Sequence, residues 1–121
     1  MSMTKLIEEV QELVEREYGR AGAKFGLTNH SDHESYAVLL EEFQEAKVEV
    51  GTVEKQLDMF WAQTKHNDSD HDKYRWLMQM QTNAIFGACE LIQVAAMAKK
   101  AAMTVCERGA IKELKEGGWS E

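Results

Sequence analysis

LLEEFQEAKVEV, residues 39–50, decides the fold. On a helical wheel advancing about 100° per residue, Phe43, Ala46 and Val50 fall within roughly 40° of Leu39. A strand would instead alternate apolar and polar residues, which this segment does not do. On the same wheel Glu42, Glu49 and Glu45 lie at roughly 300°, 280° and 240°, and Glu41 at roughly 200°. Three carboxylates therefore border the apolar stripe, and a fourth points farther out. The segment reads as an amphipathic helix whose acids line up beside its buried seam.

Outward from this segment the pattern stays helical. A first helix is predicted over 3–18, where Leu6, Ile7, Val10, Leu13 and Val14 recur at helical spacing. The glycine-bearing stretch GRAGAKFGLTNH, 19–30, reads as a loop. Ser31 or Asp32 then caps a second helix over 33–50, with Glu34 near the third helical position as in a capping box. Its apolar stripe is Tyr36, Leu39, Phe43, Ala46 and Val50. Gly51 and Thr52 end or bend it, and a shorter helix over 53–65 carries Leu57, Phe60 and Trp61. HNDSDHD, 66–72, is a polar connection in which Ser69 or Asp70 caps a long helix over 71–107. Ile85, Cys89, Ile92, Ala96 and Met103 share one face of it. Gly109 reads as a C-cap, and KELKEGGWSE as a frayed tail. The expected architecture is all-α, a four- to five-helix bundle forming a single domain over 1–121.

Composition narrows the function classes. The chain has 121 residues, a formal charge of −7 and no proline. An acidic chain with no basic patch interleaved with aromatics excludes duplex nucleic acid as a partner. No stretch approaches the roughly 18 apolar residues of a membrane span, and acids interrupt MSMTKLIEEV before any signal-peptide core forms. Cys89 and Cys106 read as buried small side chains in a reducing cytosol. A cytoplasmic location is expected.

CELIQVAAMA, 89–98, sets Glu90 and Gln93 in an apolar run. With Cys89 at zero, Gln93 falls near roughly 40° and Glu90 near roughly 100°. If this stripe faces that of 39–50, then Glu42, Glu45, Glu90 and Gln93 converge on one pocket. Clustered carboxylates repel unless protons or a divalent cation neutralise them. An all-oxygen donor set suits Mg²⁺ or Mn²⁺ over zinc.

Together these segments resemble the all-α nucleotide pyrophosphohydrolases of the MazG superfamily, whose hallmark is ExxE on one helix and ExxD on a later one. ExxE matches Glu42 and Glu45, and the ExxD position reads Glu90 and Gln93. More closely, FGLTNHSDHESYAVLLEEFQEAKVEV followed by ELIQVAAMA resembles a small, phage-associated MazG-like group. The resemblance implies Mg²⁺- or Mn²⁺-dependent hydrolysis of a nucleoside triphosphate to NMP and pyrophosphate. It also implies Glu42, Glu45 and Glu90 as metal ligands, with Glu41 as general base or as an acid standing behind the ligands. Gln93 departs from the superfamily's aspartate. An amide oxygen ligates without charge there, or Glu49 takes that ligand's place. The same departure keeps open a non-catalytic relative, a helical oligomer that binds nucleotide or a protein partner.

Other residues have roles to offer. Phe25 in the glycine-rich stretch is a candidate to stack on a base, with Lys24 on a phosphate, and Lys99 and Lys100 beyond Glu90 are candidates for phosphate. Trp61 and Trp76 read chiefly as packing residues. His30 and His33 lack the further ligands that zinc needs, and a di-iron bundle is excluded because no ExxH pair follows Glu42, Glu45 or Glu90. The wide apolar stretch over 85–105 is expected to pack against another subunit, in a homodimer or homotetramer.

Overall fold

The computed structural model describes residues 2–109, so the tail KELKEGGWSE lies outside the described residues. The described chain is all-helical, with α1 over Met3–Phe25, α2 over Asp32–Lys65 and α3 over Asp70–Glu107. The class is the expected one. The helix count is three among the described residues, fewer than the four or five expected.

Both differences arise at glycines. α1 does not stop at residue 18 but runs through Gly19 and Gly22 to Phe25. A glycine inside a helix costs only about 1 kcal/mol relative to alanine, and the flanking residues outweigh it. The real terminator is Gly26, whose φ of 92° is left-handed and whose N–H donates to the Gly22 carbonyl at 2.8 Å. Gly22 has a separate job. The Tyr18 hydroxyl donates to the Leu27 carbonyl at 2.9 Å, and this turns Leu27 back over the helix. A Cβ at position 22 would meet Leu27 Cδ2 at 2.1 Å. Gly51 likewise fails to break α2: nothing lies within 4 Å of where its Cβ would be, and Thr52 donates to the Val48 carbonyl at 3.0 Å inside a continuous helix.

The caps fall close to expectation. Ser31 Oγ accepts from the Glu34 N–H at 3.1 Å, and Ser69 Oγ from the Asp72 N–H at 3.2 Å. α2 is closed by Asn67, two residues past its end, which adopts a left-handed φ of 54°. The Asp68 N–H reaches the Gln63 carbonyl at 2.9 Å and the Asn67 N–H reaches that of Thr64 at 3.3 Å. These are the two bonds of a Schellman motif, made here with asparagine in glycine's place. Gly109, at φ 79°, closes α3 with its N–H on the Cys106 carbonyl at 2.9 Å. No helix among the described residues is long and apolar enough to cross a membrane.

The chain divides into two compact units. Among the described residues, one comprises 2–41 and 92–109; the other comprises 42–91. In the first, Ala96, Met97 and Cys106 are buried beside a polar set. The Asn29 N–H donates to Thr104 Oγ1 at 2.8 Å, its side-chain amide donates to Ser35 Oγ at 2.8 Å, and Thr104 donates to the Lys100 carbonyl at 2.7 Å. The loop before α2 is thereby fastened to α3. None of the α1 side chains is buried, and Leu6, Ile7, Val10 and Leu13 are all exposed.

In the second unit Ala46 is buried at 1% exposure, with Gln56 at 5% and Gln63 at 7%. This rotates the expected seam of α2. Phe43 and Val50, read as core, are exposed, and so is Ile85 on α3. Cys89 is exposed too, against the expectation of burial; Cys106 is buried as expected. The buried line on α2 passes through Ala46, Gln56 and Gln63 instead. The Gln56 NH₂ donates to Asn83 across the helix pair, while Gln56 Oε1 and Gln63 Oε1 are buried without a hydrogen-bond partner. Phe43, Val50 and Leu57 form a second, uncovered stripe seven residues apart.

Candidate metal and nucleotide site

Within residues 42–91 the structure brings together Glu42 and Glu45 of α2 and Glu90 of α3. One carboxylate oxygen from each lies within 4.8 Å of the others. Glu42 and Glu90 are half-buried and Glu45 is exposed. One helical turn separates Glu42 from Glu45, which sets both acids on one side of α2. Ala46 beside them is buried and adds no bulk. Gly87 adds none from the other helix: a Cβ on it would sit 3.4 Å from Glu49 Cβ.

The electrostatics fit a cation site. The Glu90 carboxyl is pushed above its ordinary value, first by burial, then by the Glu45 charge, a hydrogen bond with Glu45 and the Glu49 charge. Without a cation, the cheapest way to hold such a group is to keep a proton on it. A bound dication replaces that proton, because its charge favours all three ionised forms. Oxygens coordinating Mg²⁺ at about 2.1 Å stand up to about 4.2 Å apart across the ion. Small side-chain rotations bring the three carboxylates to that spacing, so the residues present fit the ion.

The other expected site residues are distributed as follows. Glu49 is not one of the three clustered carboxylates; its Oε2 accepts a hydrogen bond from Asn83 Nδ2 at 3.0 Å. Asn83 Oδ1 in turn accepts from Gln56 Nε2 at 2.8 Å. Neither Asn83 nor Gln56 was expected, although both stand seven residues from a motif acid, Glu90 and Glu49 respectively. Gln93, Glu41, Lys24, Phe25 and Lys100 belong to the other unit. The Gln93 amide nitrogen donates to the Glu17 carboxylate there. Glu41 is exposed. Lys24 and Phe25 are exposed in the last turn of α1, with Lys24 Nζ 5.3 Å from the centre of the Phe25 ring. Lys100 is buried. Lys99 pairs with Glu15 and lies 4.9 Å from the centre of the Tyr18 ring.

Glu17 was also missed by sequence reasoning. Hydrogen bonds from Arg20 and then from Gln93 hold its carboxyl down at about 2, from an ordinary 4.5. A depressed carboxyl stabilises the fold above its unfolded value and loses that stabilisation as the pH falls. Glu17 therefore contributes fully above pH 4.5 and progressively less down to about pH 2. Partial exposure screens the effect, so Glu17→Gln is expected to cost about 1 kcal/mol at neutral pH. In urea titrations of wild type and variant, the gap should narrow steadily below pH 4.5; a gap unchanged at pH 2.5 would remove the assignment.

No known protein family, curated protein or solved structure matches this chain.

Proposed function

We propose that the protein is a Mg²⁺- or Mn²⁺-dependent nucleoside triphosphate pyrophosphohydrolase that cleaves between the α- and β-phosphates to give NMP and pyrophosphate. One observation carries the reading: Glu42 and Glu45, and Glu90 from a segment 45 residues further on, offer oxygens within 4.8 Å of one another. These are the acids at which the MazG-like pattern of the sequence calls for ligands. The ion would neutralise phosphate charge and lower the pKa of a bound water. Glu42, Glu45 and Glu90 are its proposed ligands. Glu49, oriented by Asn83 and outside the trio, is assigned the task of orienting or deprotonating the attacking water. That role passes to it from Glu41, which is exposed. Gln93 is left out of the ligand set because it belongs to the other unit, where its amide nitrogen donates to Glu17. The test is pyrophosphate release from a panel of NTPs and dNTPs with Mg²⁺ or Mn²⁺, in wild type and Glu45→Gln.

The reading includes self-association. α1 buries none of its side chains, and Leu6, Ile7, Val10 and Leu13 are uncovered along one face, as are Phe43, Val50 and Leu57 on α2. Apolar stripes of this length on one chain mark association surfaces. Light scattering after size exclusion should give the mass of a dimer or tetramer of the 13.8 kDa chain. A monomer at micromolar concentration would remove this part of the reading.

A further inference from the structure

Residues 42–91 contain a groove of about 730 Å³ lined by Gln56, Asn83, Trp76, Met59, Lys55 and Gln79, among others. That is within the roughly 300–1,000 Å³ of small-molecule sites. Gln56 is 5% exposed, and its Oε1 is buried with no hydrogen-bond partner. A buried acceptor left unpaired is costly, so its retention calls for a partner.

Which end of Gln56 is left over is fixed from Glu49. A carboxylate only accepts, so Asn83 must turn its NH₂ toward Glu49 Oε2, at 3.0 Å. Asn83 then presents its carbonyl oxygen to Gln56, whose NH₂ donates to it at 2.8 Å. The remaining end of Gln56 is its carbonyl oxygen. The negative charge of Glu49 thus dictates, through two amides, that the unpaired buried atom of Gln56 is an acceptor. Asn83 also lines the smaller cleft that contains Glu49 and Gly87. It precedes Glu90 by seven residues, about 10 Å along α3. That is comparable to the distance from the phosphates to the base of an extended nucleotide.

Resting on the pyrophosphohydrolase reading, we propose that this groove is the nucleobase site. Gln56 accepts a hydrogen bond from an N–H on the edge of the base, and the half-buried Trp76 supplies a stacking face. The oxygen is sealed from solvent at rest, so the base enters by displacing one of the unbranched side chains that line the groove, Lys55 or Met59. The ligand class is a nucleotide whose base carries an amino group or ring N–H at the edge it presents, and a base lacking that hydrogen is rejected.

The test uses phosphate-free nucleosides without metal, so that it does not depend on hydrolysis. Side-chain amide signals of Gln56 and Asn83 are followed by ¹H–¹⁵N NMR during titration with three pairs. These are cytidine and its 2-pyrimidinone counterpart, thymidine and 3-methylthymidine, and adenosine and purine riboside. The expected result is that the Gln56 signals move, with binding about 10- to 100-fold weaker for the donor-free member of at least one pair. Gln56→Met, close in volume, should abolish that discrimination. Gln56 signals unmoved by every nucleoside would mean that water alone satisfies the oxygen, and would overturn the proposal. So would equal binding within all three pairs, or discrimination that survives in Gln56→Met. Nucleoside binding without pyrophosphate release from any triphosphate would sink the enzymatic reading and leave the base site standing. Pyrophosphate release with the Gln56 signals unmoved would do the reverse.

Discussion

Glu45→Gln is expected to lower metal-dependent pyrophosphate release by at least about 100-fold, the usual scale for losing a charged group that supports a developing phosphate charge. The same substitution should leave the metal-free protein no less stable. Glu45 is exposed and acts on Glu90 as a neighbouring negative charge, so its neutral amide removes a repulsion. A variant that melts as high as wild type yet releases no pyrophosphate separates chemistry from folding. Metal should separate them again. An ion that binds only the folded chain stabilises it by mass action, by about 2.7 kcal/mol at one hundred times its Kd, and so raises the melting temperature. That rise should appear for wild type with Mg²⁺ or Mn²⁺ and shrink strongly in Glu45→Gln. Undiminished activity in the variant, together with an undiminished metal-induced shift, would remove the three-carboxylate centre.

Ala46→Leu is expected to be the most damaging single change in 42–91. Ala46 is 1% exposed and stands between Glu45, which approaches Glu90, and Glu49, which approaches Gly87. Extra methylenes in a seam already closed force the helices apart, at about 2 kcal/mol. For a chain of this length that corresponds to a fall of roughly 5–10 °C in Tm. Separation of α2 from α3 also pulls Glu90 away from Glu42 and Glu45, so the metal-induced shift should weaken alongside. Calorimetry with and without Mn²⁺ reads both effects. A Tm within a degree of wild type would mean that the helices do not meet closely at Ala46.

Helicity was legible because its signal is periodic and local: LLEEFQEAKVEV and CELIQVAAMA each repeat at helical spacing, and no proline interrupts them. The pair Glu42 and Glu45 was legible for the same reason, since a three-residue spacing fixes one helix face whatever the tertiary packing; Glu90 joins them only through the pairing of α2 with α3. Helix boundaries at glycines were not. Gly19, Gly22 and Gly51 look alike in sequence to Gly26, yet only Gly26 takes a left-handed φ. The choice is set by a hydroxyl from Tyr18 that grips the Leu27 carbonyl. The buried line of α2 was also misread. Hydrophobicity favoured Phe43 and Val50 over Gln56, because a lone sequence does not reveal that Asn83 waits across the helix pair to receive the Gln56 amide. The pairing of Gln93 with Glu17 escaped for the same reason: the two are 76 residues apart.

The Glu49–Asn83–Gln56 chain has a mechanical consequence. Helices joined only by small apolar side chains can creep past one another, since one register buries nearly as much as the next. Asn83 is clamped from two sides, by partners seven residues apart on α2. A slide of one turn, about 5.4 Å, would strand three polar groups at once, at about 1–3 kcal/mol each. The pair is thus keyed like a ratchet with a single tooth, and the oxygens of Glu42, Glu45 and Glu90 return to the same alignment each time the hairpin closes.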